Sequence, residues 1–287
     1  VMALGVYITF RLLDFADLTV DGSIATGAAV SVMLIRAGVS PIATLPIAFL
    51  AGALAGMVTG LLNTALGIPG ILASILTQIS LYSINLNIMG KANQPVSVDN
   101  YPLVVSLRYV TDGSVSRLLF FLGMIVFLLA LIAVMYWYFG TEQGHAIRAT
   151  GCNGNMARAQ GINTNFIKVL ALMISNGLVG LCGALYGQFQ GASDVNMGRG
   201  AIVIGLAAVI IGEVLFGKFA SKRKLAFAFT LASVILGAVI YYMVYQFVLW
   251  LKMPSEDMKL FSAIVVAIFL AIPYLKEKRT LRKGASK

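Results

Sequence analysis

The sequence contains little charge for its length. Only 11% of its 287 residues are charged, whereas 59% are hydrophobic, and an average soluble domain is about one quarter charged. So few charged side chains cannot cover the surface of a water-soluble protein of this size. The composition instead suits a set of membrane-spanning helices, each of which needs about 20 apolar residues.

Histidine and cysteine are also scarce. His145 is the only histidine, so neither a zinc site nor a serine–histidine catalytic triad is supported. Cys152 falls in a polar segment and Cys182 in an apolar run, and we therefore expect free thiols rather than a disulfide. No cleavable signal peptide is visible. Because Val1 already lies in an apolar run, we expect native residues to precede it.

A complete phosphate loop is lacking as well. Residues 212–218 imitate one, but Phe219 stands where a Mg²⁺-binding serine or threonine belongs. The stretch also ends an apolar run instead of joining a strand to a helix. We therefore expect no nucleotide site here, and any ATP hydrolysis that this protein uses must come from another chain.

Long apolar runs occupy most of the chain, and none alternates as a β-barrel strand would. Since helices satisfy backbone hydrogen bonds within one segment, we predict an all-α polytopic membrane protein with about eight or nine transmembrane helices. We expect residues 1–287 to form a single transmembrane domain. The predicted runs are 1–13, 22–37, 41–66, 69–90, 117–139, 166–190, 200–217, 226–250 and 258–275.

Basic residues concentrate in alternate loops. The loop with Lys218 and Arg223 and the basic tail 276–287 lie on the same predicted side as a polar segment, residues 141–165. The intervening loops are close to neutral. Because loops rich in lysine and arginine stay in the cytoplasm, we predict that the polar segment and the C-terminus are cytoplasmic. This rule explains the net charge of +10, and we do not expect nucleic acid as a partner.

The polar segment contains a predicted short helix. Residues 156–160 are good helix formers, Asn155 suits the N-cap, and Gly161 suits the position just beyond the C-terminus. A rigid surface helix between two spans can transmit a push from a partner into the membrane. An ordinary solvated loop is the alternative interpretation.

Glycines at regular intervals predict close helix contacts. Gly52, Gly56 and Gly60 recur every four residues in the third run, and such a ridge lets a neighbouring helix approach closely. We expect these glycines to serve helix packing rather than ligand contact.

The polar segment and the run after it resemble a known family. Ala-Thr-Gly-Cys-Asn-Gly-Asn-Met-Ala-Arg-Ala-Gln-Gly-Ile-Asn at 149–163, with Gly-Leu-Cys-Gly-Ala-Leu-Tyr-Gly at 180–187, is similar to the cytoplasmic loop and next helix of ABC importer permeases of the branched-chain amino-acid and ribose type. Residues 52–76 resemble that family's third-to-fourth helix pair. Residues 14–23 are most similar to the subgroup of tryptophan/tyrosine permeases. The resemblance runs from about residue 2 to the last predicted helix.

The resemblance implies a transport subunit, not an enzyme, in the plasma (inner) membrane of a bacterium. It implies no cofactor in this chain, because ATP and Mg²⁺ would bind to two partner ATPase subunits. A second permease copy, most simply as a homodimer, and an extracellular or periplasmic solute-binding protein are the other implied partners, and an amino acid is the implied solute. In that family the polar segment holds the coupling helix, which docks on the ATPase. The matching positions here are Gly151, Asn153, Ala157, Arg158, Gly161 and Ile162.

Polar residues within the predicted spans mark candidates for the solute path. On the fourth run they follow at steps of four, four and three, which places them on one helical face. Polar side chains in lipid face the protein interior, so contacts between helices explain the pattern as well as contacts with solute. The candidates are Asn63, Ser74, Gln78, Tyr82, Asn85, Asn176 and Gln188.

Acidic residues leave a different class of transporter open. Asp14, Asp17 and Asp21 cluster before the second run, and Glu213 stands alone in an apolar run. Charge within a membrane is costly and usually functional, so an ion-coupled secondary transporter that uses these residues is the alternative hypothesis. We favour structural roles for the cluster, in which Asp21 or Ser23 caps the next helix, Asp17 and Thr19 organise the turn, and Arg11 pairs with Asp14.

Overall fold

The computed structural model describes residues 1–97, 100–101, 103–106, 114–220 and 226–250, with three isolated positions at 264, 267 and 271. Ten α-helices and two short strands lie within these residues. The helices are α1 Met2–Tyr7, α2 Thr19–Arg36, α3 Pro41–Thr64, α4 Gly70–Met89, α5 Ser114–Phe139, α6 Glu142–Cys152, α7 Gly154–Ala159, α8 Thr164–Gln190, α9 Ala201–Ala220 and α10 Ala226–Trp250. A π-helical turn, Ile8–Leu12, continues α1, and the strands are β1 Asn93–Pro95 and β2 Ala192–Asp194.

By length and composition, five helices in the described part of the chain can cross a membrane: Pro41–Thr64, Gly70–Met89, Arg117–Phe139, Thr164–Gln190 and Ala226–Phe247. This confirms the prediction of a helical, polytopic membrane protein. The predicted count of eight or nine spans is not established. The runs 1–13 and 200–217 correspond to shorter apolar helices, Met2–Leu12 and Ala201–Phe216, and the run 258–275 falls outside the described residues except for isolated positions.

The chain divides into two compact units, Val1–Ile202 and Val203–Lys287. The first unit contains α1 to α8 and both strands. In the second, α9 and α10 pack through a buried cluster of Ala207, Ile211 and Tyr241. Gly212 lies against the backbone of Ser233 there.

Helix α8 is the central helix of the first unit, and α3 packs along it in the opposite direction. A Cβ atom on Gly52 would overlap the carbonyl oxygen of Asn176, and one on Gly56 would overlap that of Leu172. The two backbones can approach this closely only because both positions lack a side chain. The predicted glycine ridge of α3 is thereby confirmed.

The segment between the π-helical turn and α2 enters the interior of the helix bundle. Asp17 is only 3% exposed, and its carboxylate accepts hydrogen bonds from the Thr19 backbone N–H at 2.9 Å and from Asn176 Nδ2 at 2.7 Å. Asn176 lies in the middle of α8. Helix α2 therefore begins beside the middle of α8 instead of beside one of its ends.

A second segment folds back in the same direction after α8. Strands β1 and β2 pair antiparallel, with Asn93 opposite Asp194 and Pro95 opposite Ala192. The following turn then descends to the first turn of α2, where a Cβ atom on Gly198 would overlap the carbonyl oxygen of Asp21. This descent places residues 198–202 against the first turn of α2.

Candidate functional site

The polar segment (residues 141–165) forms two consecutive helices, α6 and α7, instead of a single short helix. Asn153 joins them in an extended conformation, and its side chain accepts hydrogen bonds from the N–H groups of Asn155 and Met156 at 3.1 and 3.0 Å. Asn153 is therefore the N-cap of α7, and the expectation that Asn155 would be the cap was wrong. The chain has already turned at Asn153 because α6 ends at Cys152.

The C-terminus of α7 has the geometry predicted from Gly161. Gly161 has a φ angle of +83°, its N–H donates to the carbonyl of Arg158 at 2.9 Å, and the N–H of Ile162 donates to the carbonyl of Ala157 at 3.0 Å. This pair of bonds is a Schellman motif, which favours glycine at the left-handed position. Arg158 Nε also donates to Thr164 Oγ1 at 2.9 Å, so α7 is tied to the first residue of α8.

The six sequence candidates in the polar segment do not all face solvent. Asn153, Arg158 and Gly161 are exposed and Ile162 is half-buried, whereas Ala157 is only 3% exposed. A Cβ atom on Gly151 would overlap the carbonyl oxygen of Leu12, so Gly151 packs against the π-helical turn. The most exposed apolar side chain of α7 is Met156, at 62%, which the sequence analysis did not single out.

Helix α6 is held firmly to the spans on either side. Ile147 is fully buried, and Gly144 lies against the backbone of Phe139 at the end of α5. The guanidinium of Arg148 lies 5.8 Å from the centre of the Phe139 ring. Partial burial lowers the pKa of Arg148 from its ordinary value, and an electrostatic interaction with Tyr7 opposes this shift. The polar segment is therefore anchored to α1, α5 and α8 at once.

Asn176, a path candidate, connects helices through its hydrogen bonds. Its amide donates to Asp17 Oδ2 at 2.7 Å and to the carbonyl of Leu172 at 3.1 Å, and it accepts from Ser23 Oγ at 2.6 Å. All of these groups are inside the first unit, where a hydrogen bond replaces the lost contact with water.

Three further path candidates also make hydrogen bonds within the protein. Gln188 is fully buried and donates to Ser31, Pro41 and Thr44 at 3.2 to 3.3 Å. Asn63 Nδ2 donates to the carbonyl of Ile68 at 2.8 Å, in the turn between α3 and α4. Ser74 Oγ donates to the carbonyl of Ile71 at 2.9 Å within α4.

The remaining path candidates line a cleft of about 330 Å³. Helix α2 contributes one wall, α4 a second, and the descending turn 195–200 a third. Gln78, Tyr82 and Asn85 come from the sequence candidates, and Asp21, Ser83 and Arg199 join them. We name this cavity the Asp21 cleft. Its volume is near the lower end of the range for sites that bind small molecules, roughly 300–1,000 Å³.

Asp21 binds the backbone at the end of the descending turn, within the first unit. Its two carboxylate oxygens accept hydrogen bonds from the N–H groups of Gly200 and Ile202, each at 2.9 Å. We expected Asp21 or Ser23 to cap α2, but the N-cap of α2 is Leu18, without a side-chain cap, and Asp21 lies in the first turn. A carboxylate here also offsets the partial positive charge of a helix N-terminus.

Asn85 is the unusual polar residue of the cleft. It is fully buried, and neither its amide nitrogen nor its amide oxygen has a hydrogen-bond partner among the described residues. Leaving such groups unpaired costs about 1–3 kcal/mol each. Arg199 is exposed. No hydrogen bond or ion pair of its guanidinium is found within the described part of the chain.

The acidic residues of the ion-coupled hypothesis occupy different settings. Both oxygens of Asp17 and both of Asp21 accept hydrogen bonds from the protein itself. Asp14 is exposed and has a φ angle of 54°, and Glu213 is half-buried in the second unit. In the described residues no group of three or more histidine, cysteine, aspartate or glutamate side chains could hold a metal ion.

Comparison with known proteins gives consistent matches along the chain. A family model described as "Branched-chain amino acid transport system / permease component" matches residues 1–273. A tyrosine transport system permease protein of Clostridioides difficile is 40% identical over 271 residues, which cover 94% of this chain and 86% of the relative. Uncharacterized protein RP368 of Rickettsia prowazekii is 31% identical over 274 residues, covering 94% of this chain and 92% of the relative.

A more distant relative is described as an ABC transporter permease. The inner membrane ABC transporter permease protein YjfF of Escherichia coli is 26% identical over 214 residues, which cover 74% of this chain and 63% of the relative. No solved structure matches the chain significantly.

Proposed function

Because the chain belongs to the branched-chain amino acid transport system permease family, we propose that two copies of it form the membrane path of an ABC importer driven by two ATPase subunits. The chain is a multi-pass transport subunit, and in a bacterium such a permease lies in the inner membrane. An extracellular or periplasmic binding protein delivers the solute. The name of the tyrosine transport permease supports an amino acid as that solute.

The geometry of the polar segment supports α7 as the coupling element. Its exposed surface combines Asn153, Met156 and Arg158, while Ala157 faces the protein. The polar segment packs on Leu12 and Phe139 through α6 and on Thr164 through α7, so a displacement of the segment would reach three neighbouring helical segments together. ATP binding on the partner subunits pushes α7 and turns the path outward, and hydrolysis resets it.

Coupling through α7 requires more than tight binding of the ATPase to it. A partner shifts an equilibrium between two permease conformations only by the difference in its affinity for them. The ATPase must therefore contact α7 differently in its ATP-bound and ATP-free states. The exposed side chain of Met156 is well suited to this contact, because methionine is flexible and adapts to changing apolar surfaces.

Replacement of Met156 tests the assignment. Met156→Glu puts a charge into the proposed interface, and we expect ATP-driven uptake by the reconstituted complex to fall about tenfold or more. Membrane insertion stays normal, because the side chain is exposed. The matched control Met156→Leu keeps the apolar surface and retains uptake. If Met156→Glu imports solute at the rate of the unaltered protein, α7 is not the coupling helix.

A further inference from the structure

We propose that the Asp21 cleft binds the solute during its passage, with Arg199 and Asn85 holding a carboxylate and Asp21 facing an ammonium group. This inference rests on the proposed importer function and specifies where that importer recognises an amino acid. The cleft brings together three segments distant in the sequence, α2, α4 and the turn 195–200. All of them belong to the first compact unit.

The unpaired amide of Asn85 indicates that the cleft is built for a polar ligand. A buried polar side chain ordinarily has a hydrogen-bond partner, and the other buried amides among the described residues of the first unit, Gln94, Asn176 and Gln188, each have at least two. Asn85 has none among the described residues. A ligand carboxylate accepts from its amide nitrogen, and a ligand N–H group donates to its amide oxygen.

Arg199 provides the matching positive charge. Arg199 lines the cleft and is exposed, and it forms no ion pair with a described residue. A guanidinium binds a carboxylate through two parallel hydrogen bonds, which fixes the orientation of the ligand as well as attracting it. The pair of Arg199 and Asn85 therefore suits the carboxylate end of an amino acid.

The ammonium end of the ligand would face oxygen atoms of the cleft. Asp21 accepts two backbone hydrogen bonds, but a carboxylate has about four acceptor positions, so it can accept another from an ammonium group. Ser83 and Gln78 also line the cleft and offer further acceptors. The ring of Tyr82, together with Ile79 and Val195, supplies an apolar surface for the solute side chain.

The experiment uses the complete complex in proteoliposomes, with its ATPase subunits and binding protein, and measures ATP-dependent uptake of each of the common amino acids. We expect Arg199→Gln and Asn85→Leu each to lower the uptake of the transported amino acid about tenfold or more. Arg199→Lys keeps the charge but not the paired hydrogen bonds and should retain intermediate uptake.

Two control variants match these changes. Lys91→Gln removes another exposed cation, and Asn87→Leu removes another amide of α4 that does not line the cleft. We expect both to transport like the unaltered protein. Thermal unfolding of every variant in detergent shows whether lost uptake reflects lost folding. If Arg199→Gln and Asn85→Leu lose uptake only in proportion to their lost folding, the proposal is overturned.

Ligand analogues identify the recognised groups. If tyrosine is the transported amino acid, tyramine lacks its carboxylate and 3-(4-hydroxyphenyl)propionate lacks its ammonium group. Each unlabelled compound is tested as a competitor of labelled tyrosine for uptake. Arg199→Gln should weaken competition by tyrosine and by the propionate, and it should leave the weak competition by tyramine unchanged. Equal weakening for all three compounds overturns the assignment of Arg199 to the carboxylate.

The outcomes separate this inference from the importer function. If the unaltered complex shows no ATP-dependent uptake of any amino acid, the proposed function fails. If it shows uptake, and Arg199→Gln and Asn85→Leu transport as well as Lys91→Gln and Asn87→Leu, the importer function stands and the cleft is not its binding site.

Discussion

At the residue scale, Asp17 shows how this protein accommodates an acidic side chain deep in its interior. The carboxylate receives one hydrogen bond from the Thr19 backbone and one from the Asn176 side chain. Asn176 in turn accepts from Ser23. Each polar group has a partner, which is the condition for burying such a network without a large loss of stability. We therefore interpret Asp17 as a structural residue.

The replacement Asp17→Asn tests this interpretation. The two hydrogen bonds go to different oxygens of Asp17. Asparagine has an NH2 group in place of one of these oxygens, so one donor would face another donor and lose its partner. We expect the free energy of unfolding to fall by about 1–3 kcal/mol, measured by thermal unfolding in detergent. ATP-driven uptake by the folded fraction should show no new dependence on sodium or protons.

The exposed Asp14 provides the control for this variant. Asp14→Asn should leave stability unchanged, because its side chain is exposed. Uptake by the unaltered protein that persists without ATP, collapses with an ion gradient and is lost in Asp17→Asn would instead support the ion-coupled alternative.

The sequence could predict polar candidates but not which of them remain open to a ligand. Asn85 and Asn176 both lie in predicted spans, yet Asn176 bonds to a segment more than 150 positions away in the chain, whereas Asn85 lines a cleft. Periodicity reports only which face of a helix a residue occupies. Arg199 was missed because the turn that carries it reaches α2 only in the folded chain. The signal that could have found Arg199 was that it is a basic residue in a loop of nearly zero net charge.

At the element scale, α7 is defined by its two ends more than by its length. Six residues are too few to form a stable isolated helix, so the Asn153 cap and the Schellman motif at Gly161 must maintain it. The sequence predicted the C-terminal end of α7 correctly, because a glycine after a run of helix formers is a specific indication that a helix ends there. It misplaced the N-cap, because two asparagines flank Gly154 and sequence alone did not show that α6 is helical.

Two glycines permit a matched test of α7. Gly161 and Gly38 have φ angles of +83° and +91°, and a Cβ atom on either would meet no neighbour within 4 Å. Alanine at each position therefore introduces a similar backbone strain of about 1–2 kcal/mol, without a steric clash. Gly38 lies in the turn between α2 and α3, far in sequence from the polar segment.

We expect Gly161→Ala to lower the number of solute molecules imported per ATP hydrolysed, because strain at the end of α7 shifts the coupling surface. Gly38→Ala should leave this ratio unchanged. The ratio is measured from uptake and phosphate release in the same proteoliposomes. An equal effect of both substitutions would show that general destabilisation, not coupling, explains the result.

At the scale of the whole molecule, hydrophobic runs predicted the class of protein but not the geometry of its interior. The runs 41–66, 69–90, 117–139, 166–190 and 226–250 correspond to helices long enough to cross a membrane. The run 22–37 became α2, which starts beside the middle of α8, because Asp17 bonds to Asn176 there. Hydropathy cannot predict such an entry, since residues 13–18, which include Asp14 and Asp17, look like an ordinary loop until the partner of Asp17 on α8 is known.

The orientation of the molecule in the membrane decides whether α7 can meet an ATPase at all. Cys152 is exposed at the end of α6, while Cys182 is half-buried in α8. In a Cys182→Ala background, we expect a membrane-impermeant maleimide to label Cys152 in permeabilised cells but not in intact cells. Lys91→Cys, combined with Cys152→Ala in that background, provides the opposite control, because Lys91 is exposed and lies in a loop predicted to face outward. Labelling of Cys152 in intact cells would place α7 on the outer face, where no ATP-hydrolysing partner could drive it.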